Sequence, residues 1–273
     1  MANSKMDWAM PVMRAGYAGR GLTYLAIAGL SLFTIWQGGQ AKGTSEALGA
    51  IETSPFGMLT LALIGIGMIC YMGWRLLDGF ADLEDEGSDA MGLLSRAGQI
   101  ITGLIHGVIG GAALAIAFRG GDSGGQSQIV KATETVMGLP FGILIVGIVG
   151  AMTAGAGLYY LKKAYRQSYR QSLAANHFTR NWSALLRAGV AAQGITVLII
   201  GGFLMLAAWQ VDPSQAGGLG QTFDWVSGQL YGRILVTLLC LGLLSFALFL
   251  FVNARYRVVP RLSDPDIATL AIT

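Results

Sequence analysis

Apolar positions fall into six continuous runs, near 18–36, 57–77, 99–118, 141–161, 189–209 and 232–252, with polar stretches between them. Each run is roughly 20 residues, the length a helix needs to cross a ~30 Å hydrocarbon layer. None alternates apolar and polar residues as a lipid-facing strand would, so the pattern predicts helices and not a barrel. The first run is too long for the apolar region of a secretory signal and is the counterpart of the third and fifth, so it is kept as a span. Segments between the runs reach about 20–30 residues, too short to enclose a core of their own.

The runs repeat in pairs. Arg14-Ala15-Gly16, Arg96-Ala97-Gly98 and Arg187-Ala188-Gly189 open the odd runs, at spacings of 82 and 91 residues. Gly21, Gly103 and Gly194 each follow seven positions after their arginine. Pro55-Phe56-Gly57, Pro140-Phe141-Gly142 and, more loosely, Leu230-Tyr231-Gly232 open the even runs. The chain therefore divides into three two-helix repeats, 14–80, 96–165 and 187–258, between an N-terminal segment (1–13) and a C-terminal tail (259–273). Within each repeat, glycine-rich linkers (38–39; 120–121 with 124–125; 217–218) precede a short amphipathic segment. Leu219, Phe223, Val226 and Leu230 have helical spacing, as do Ile129/Val130 with Val136/Met137, and Leu48 with Ile51 is a weaker version. These predict a short outer interfacial helix in each repeat, with Phe56, Phe141, Tyr231 and Trp225 at headgroup depth.

Two spans per repeat give each copy the same polarity, so the repeats are parallel, related by an axis along the membrane normal. The expected fold is an all-α integral membrane protein, six transmembrane helices in a pseudo-threefold bundle with the odd helices nearer the axis. Two four-residue stripes, Gly103/Gly107/Gly111/Ala115 and Gly147/Ala151/Gly155, are expected to pack against neighbouring helices.

The arginine-led and aromatic-glycine markers, with Arg14 to Gly21 and Tyr71-Met72-Gly73-Trp74-Arg75 as the fullest match, resemble a bacterial membrane family known as domain of unknown function 1206. The resemblance spans roughly residues 12 to 258. It implies three two-helix repeats in a bacterial inner membrane and implies no activity. The second and third repeats depart from it: Tyr17 becomes Gln99 and Val190, Arg20 becomes Thr102 and Gln193, and Trp74-Arg75 becomes Tyr159-Tyr160.

Composition agrees with the membrane reading. Mean hydropathy is +0.57 and 12% of residues are charged, against about 25% in soluble chains. With both termini on one side, that side holds 14 of the 18 Lys and Arg. The bias places both termini in the cytoplasm, and it accounts for the net charge of +3 without a nucleic-acid partner. Cys70 and Cys240 lie inside spans and read as small apolar residues.

Candidate functional residues follow from where the repeats agree and where they differ. Arg14, Arg96 and Arg187 recur, which suits interfacial arginines snorkelling to lipid phosphates. Six positions after them stand Arg20, Thr102 and Gln193, and one turn deeper Tyr24, His106 and Val197. If odd helices line the axis, Arg20, Tyr24, Thr102, His106 and Gln193 form an axial polar pocket, with His106 as proton acceptor, ligand or interhelical hydrogen-bond donor. No second His, Asp, Glu or Cys lies near His106 in its span, so no metal is assigned, and no nucleophile–base spacing or cofactor motif is present. The loops before the third and fifth spans carry opposite charge. Asp82, Glu84, Asp85 and Glu86 in one, with Lys162, Lys163, Arg166 and Arg170 in the other, are candidate contacts for a membrane-protein partner or, for the basic set, anionic lipid headgroups. Docking of one loop on the other is a further option. The sequence thus points to a non-enzymatic inner-membrane protein without cofactor, an accessory or scaffold component of a membrane complex. The alternative is a small-molecule or proton-linked transporter using the axial pocket.

Overall fold

The computed structural model describes residues 6, 8–119, 128–263 and 267–271. The glycine linker at 120–125 lies outside them. Among the described residues ten α-helices follow in order: α1 (Ala9–Trp36), α2 (Thr44–Glu52), α3 (Gly57–Ala81), α4 (Ala90–Arg119), α5 (Gln128–Met137), α6 (Gly142–Arg166), α7 (His177–Asn181), α8 (Ser183–Gln210), α9 (Leu219–Ser227) and α10 (Gly232–Tyr256). Six of them, α1, α3, α4, α6, α8 and α10, are long and apolar enough to cross a membrane. Their far ends coincide with the apolar runs. At the end bearing the termini they continue for further turns through charged positions such as Arg14, Arg96 and Lys162. The 28 residues of α1 extend roughly 42 Å, so these turns stand beyond a ~30 Å hydrocarbon layer.

The short helices α2, α5 and α9 occupy the three segments where amphipathic spacing predicts them. Leu48 and Ile51 of α2 pack with Leu61 and Ile64 of α3 and Ala113 of α4. Phe223 and Val226 of α9 pack with Ile27 of α1 and Val236 of α10. Phe56, Phe141, Tyr231 and Trp225 are all exposed. The aromatic-glycine marker has a steric cause. A Cβ on Gly57, Gly142 or Gly232 would run into the carbonyl oxygen of Ile51, Val136 or Ser227, at the end of the preceding short helix. In each repeat the marker glycine N–H donates to a carbonyl three residues back, Ser54, Leu139 or Gln229; the preceding aromatic residue is left-handed in the second and third repeats (Phe141, Tyr231) and not in the first (Phe56).

Helix contacts run α4–α3–α1–α10–α8–α6. Between repeats, α3 packs on α4, α6 on α8 and α10 on α1. Within repeats, α1 packs on α3 and α8 on α10, but α4 and α6 have no comparable contact among the described residues. The odd spans do not line a common axis as expected: α1 and α8 are each packed between two even spans, α4 packs on one, α3, and the arc is open at α4/α6 among the described residues. The expected stripes are corrected too. Gly103, Gly107 and Gly110 of α4 meet Arg75, Met72 and Met68 of α3, whereas Gly111 faces open space. On α6 Gly147 faces Ala208 of α8 as expected, but the close approaches are Gly150 and Gly157, on Met205 and Leu198, and Gly155 meets nothing within 4 Å. A strict four-residue stripe drifts around a helix of 3.6 residues per turn, and the real seams follow mixed steps of three and four.

At the termini-bearing end the loops are folded. Leu173 and Ala174 form isolated bridges with Arg257 and Thr269, and the Val258 and Leu270 N–H groups donate to Ser172 and Leu173. Leu83, Tyr169, Leu173 and Val259 share one apolar cluster with Met13, Tyr71 and Trp74 of the helices. The segments too short for a core of their own therefore complete the core of the bundle.

Candidate functional site: a buried arginine centre behind an open seam

Arg20 of α1 is 4% exposed. Gly16 and Gly19 of the same helix let α3 approach so closely that their added Cβ atoms would strike the backbone of Tyr71 and Gly67. That approach sets the Tyr71 ring against Arg20. Arg20 Nη1 donates to Tyr71 Oη at 2.8 Å, and Arg75 Nε donates to the same oxygen at 3.0 Å. The Arg20 guanidinium lies 5.0 Å from the Tyr71 ring centre, 5.4 Å from Phe246 and 5.6 Å from Tyr24, within cation–π range of all three. Gln193 Nε2 of α8 donates to Tyr24 Oη at 3.0 Å. The His106 ring of α4 stands edge-on to Tyr71 at 5.0 Å. Its Nδ1 is 2.7 Å from the Thr102 carbonyl oxygen; a carbonyl only accepts, so Nδ1 carries the proton and a neutral ring keeps Nε2 as an acceptor.

Four expected pocket residues thus come together: Arg20 and His106 against Tyr71, Tyr24 against Arg20, and Gln193 on Tyr24. Thr102 joins through its backbone, and the His106 hydrogen bond runs within α4, not across helices. Among the described residues Arg20 has no carboxylate within 4.0 Å, and its Nε has no acceptor. The buried Oε1 atoms of Gln193 and of Gln99, on α4, also lack partners. Sequence reading missed Tyr71, the hub, along with Arg75 and Arg257. The sequence marks only their neighbourhood: Asp78, Lys163 and Asn253 all stand 21 positions after their marker glycine, polar in all three repeats.

Toward the termini the centre continues as an ion network. Arg257 Nε donates to Glu84 Oε1 at 2.8 Å and its Nη1 to Asn253 Oδ1 at 2.6 Å. Arg75 Nη1 lies 3.4 Å from Asp78 and 3.8 Å from Glu84. Burial alone would raise Glu84, but Arg257 and Arg75 outweigh it and hold the carboxyl down to about 2. Arg261 Nη2 is 2.9 Å from both Asp82 and Asp85. Among the described residues the carboxylates of the acidic loop accordingly pair with Arg75, Arg257 and Arg261 and form no ion pair with the basic loop, although Leu83 packs with Tyr169 and Leu173. Asp82 and Glu84 are engaged internally and are not free for a partner or a lipid; the Asp85 carboxylate, though paired, is largely exposed, as is Glu86. Lys162 and Arg166 are exposed, while Lys163 and Arg170 are half-buried. Lys163 lies within electrostatic reach of Arg257 and Glu84.

The repeated arginines do different things. Arg96 donates from Nε to the Gly79 carbonyl at 2.8 Å and from Nη2 to Phe80 at 2.9 Å, capping the end of α3 and not reaching for lipid. Arg14 is exposed. Arg187, also exposed, lines a shallow cleft of about 530 Å³ with Gln167, Ser183 and Ala191.

The open seam has a cause in the sequence. Counted from the leading arginine and from the marker glycine, Gly19 faces Gly67 in the first repeat and Ala192 faces Gly242 in the third. The same positions in the second repeat hold Ile101 and Met152, 41% and 38% exposed. Two large side chains stand where a small–small crossing is required, and the backbones cannot meet. Beside them, Gly98 meets nothing within 4 Å, whereas its counterparts Gly16 and Gly189 receive Tyr71 and Phe246. The residue matching Tyr71 and Phe246 in α6 is Ala156, which is exposed.

Six apolar membrane-length helices in three two-helix repeats, around a polar centre open on one side, define a multi-pass helical membrane protein. The chain belongs to the family described as Domain of Unknown Function (DUF1206), which it matches over residues 15–82, 97–167 and 188–257. It is also 28% identical over 254 residues to the uncharacterized protein YxxB of Bacillus subtilis (strain 168), covering 92% of each chain. No solved structure matches it.

Proposed function

We propose that this is a non-enzymatic protein of the bacterial inner membrane, with both termini in the cytoplasm, that binds a small anionic molecule at the Arg20 centre, as a carrier or transporter does. One observation supports the reading above others: a buried guanidinium that among the described residues has no carboxylate partner and no acceptor for its Nε lies among side chains of α1, α3 and α10. A buried charge without its counter-ion is costly, and an anionic ligand relieves that cost. Ionisable residues at membrane depth mark ligand pathways by default. The other reading, an accessory or scaffold component of a larger complex, is supported by the exposed Asp85, Glu86, Lys162 and Arg166, but loses Asp82 and Glu84 as free contacts.

The test is native mass spectrometry of the full chain extracted in native nanodiscs, wild type beside Arg20→Gln. A small-molecule mass present on the wild type and absent from Arg20→Gln is the expected result. Equal spectra from the two, with a stoichiometric protein partner on both, would sink the reading in favour of the accessory role.

A further inference from the structure

We propose that the α4/α6 seam is a lateral doorway for an anionic amphiphile, which seats its headgroup at Arg20 and leaves its tail in the seam. This rests on the reading of Arg20 as a ligand site and names the ligand's class and route. Three independent observations meet here. The first is the opening itself, produced by Ile101 and Met152 and left unfilled at Ala156 and Gly98. The second is charge. Around the centre stand Arg20, Arg75, Arg257 and Lys163, and the carboxylates within reach of them in the described residues are Asp78, Glu84 and Glu86. Asp78 and Glu84 are held by Arg75 and Arg257, and Lys163 lies within electrostatic reach of Glu84 and Glu86, which leaves Arg20 for an anion.

The third observation is the distribution of polarity along the seam. At its termini-bearing end stand Gln99, Thr102 and His106 of α4 and Lys163 of α6. Further along, Ile105 and Val108 of α4 and Val149 and Ile148 of α6 are exposed and apolar. Arg20 follows Arg14 by six positions, about 9 Å along a helix, so its charge lies just inside the level of the interfacial arginines. A bilayer amphiphile carries its anionic group near that depth and its chain beyond it. A free inorganic anion would have to cross hydrocarbon to use the same opening, at a prohibitive desolvation cost. The seam's polarity therefore matches a lipid-borne anion.

The test uses the full chain in nanodiscs of phosphatidylcholine containing phosphatidylglycerol, with the lipid retained after transfer to detergent read by native mass spectrometry. Ala156→Phe places in α6 the ring that Phe246 supplies in α10, at a position that is exposed. The wild type is expected to retain phosphatidylglycerol over phosphatidylcholine by about tenfold or more, and Ala156→Phe to lose that excess while keeping its melting temperature. Arg20→Gln should lose the headgroup preference as well. Retention unchanged by Ala156→Phe, or equal retention of both lipids, overturns the doorway. A parallel arm titrates inorganic phosphate. Phosphate binding that needs Arg20 but ignores Ala156→Phe overturns the doorway and keeps the ligand site. Indifference of both probes to Arg20→Gln removes the site as well. A co-purifying protein helix displaced by Ala156→Phe, with no lipid preference, also overturns the proposal.

Discussion

Gly19 of α1 lies directly on Gly67 of α3, so close that a Cβ on either would strike the Cα of the other. This crossing brings the Tyr71 phenol within hydrogen-bonding distance of Arg20. The third repeat makes the crossing with Ala192 and Gly242, and the second holds Ile101 and Met152 there and leaves α4 and α6 apart. One pair of positions thus decides, repeat by repeat, whether the interior is closed.

Exchanging those residues should exchange the outcome. Gly19→Ile should force α1 from α3 and destabilise the fold by about 1–3 kcal/mol or more, the usual cost of overpacking. Ile101→Gly with Met152→Gly should draw α4 and α6 together. Spin-label distances between the two helices check this directly: a shortening in the double variant is expected, and an unchanged distribution would mean something other than these two side chains holds the seam open.

Glu84 makes the fold acid-sensitive in a defined window. Its carboxyl is held down from the ordinary 4.5 to about 2 by Arg257 and Arg75, which outweigh its burial. A depressed folded pKa contributes stability that is complete above about pH 4.5 and is lost as pH falls toward 2; a shift of this size corresponds to roughly 3 kcal/mol. Glu84→Gln should lower the melting temperature near neutral pH and flatten its fall between pH 4.5 and 2. Glu86→Gln, at an exposed position, is the control and should leave the curve unchanged.

Arg96 is a helix cap and should behave as one. Arg96→Ala removes the donors to the Gly79 and Phe80 carbonyls and should cost about 1–3 kcal/mol, with faster amide exchange at the end of α3. Arg96→Lys, which lacks the planar fork, should recover only part of this. Arg14→Ala, at the same repeat position but exposed, should change stability little. Equal effects at the two sites would return both to a role at the lipid surface.

What was legible in the sequence was whatever recurs: the six helices, the three short outer helices and the marker turns, each tied to a local spacing. That Arg20, Tyr24, His106 and Gln193 lie near one another was legible too, because comparing repeats exposes the position where Arg20 replaces Thr102 and Gln193. The packing scheme was not. Glycine content alone made the odd helices look axial, but a glycine's neighbour depends on its angular position. Gly16 faces its own repeat through Tyr71, while Gly21, five residues on, faces Phe251 of the third. Tyr71 was overlooked as the hub because an aromatic residue in an apolar run carries no signal until its partner is known. The docking of Glu84 on Arg257 joins residues 173 positions apart, and nothing in either segment announces the other.

The C-terminal segment is part of the core, and its removal should show this. Sequence reading treats 259–273 as a tail, yet Val259 and Leu270 are fully buried, Val259 in one cluster with Leu83 and Leu173. Arg261 ties the segment to Asp82 and donates to the Ala81 carbonyl at 3.1 Å. Truncation after Val258 would uncover Leu83 and Leu173 and leave Asp82 without its arginine. Burying one such aliphatic side chain contributes about 1.5–3 kcal/mol, so the truncated chain should lose several kcal/mol and gain protease sites in 82–89 and 168–176, the segments the tail covers. The double variant Val259→Ser/Leu270→Ser should reproduce most of that loss at full length. Limited proteolysis of the three chains side by side checks it: if truncation leaves the cleavage pattern and melting temperature unchanged, the buried tail contributes nothing to the fold.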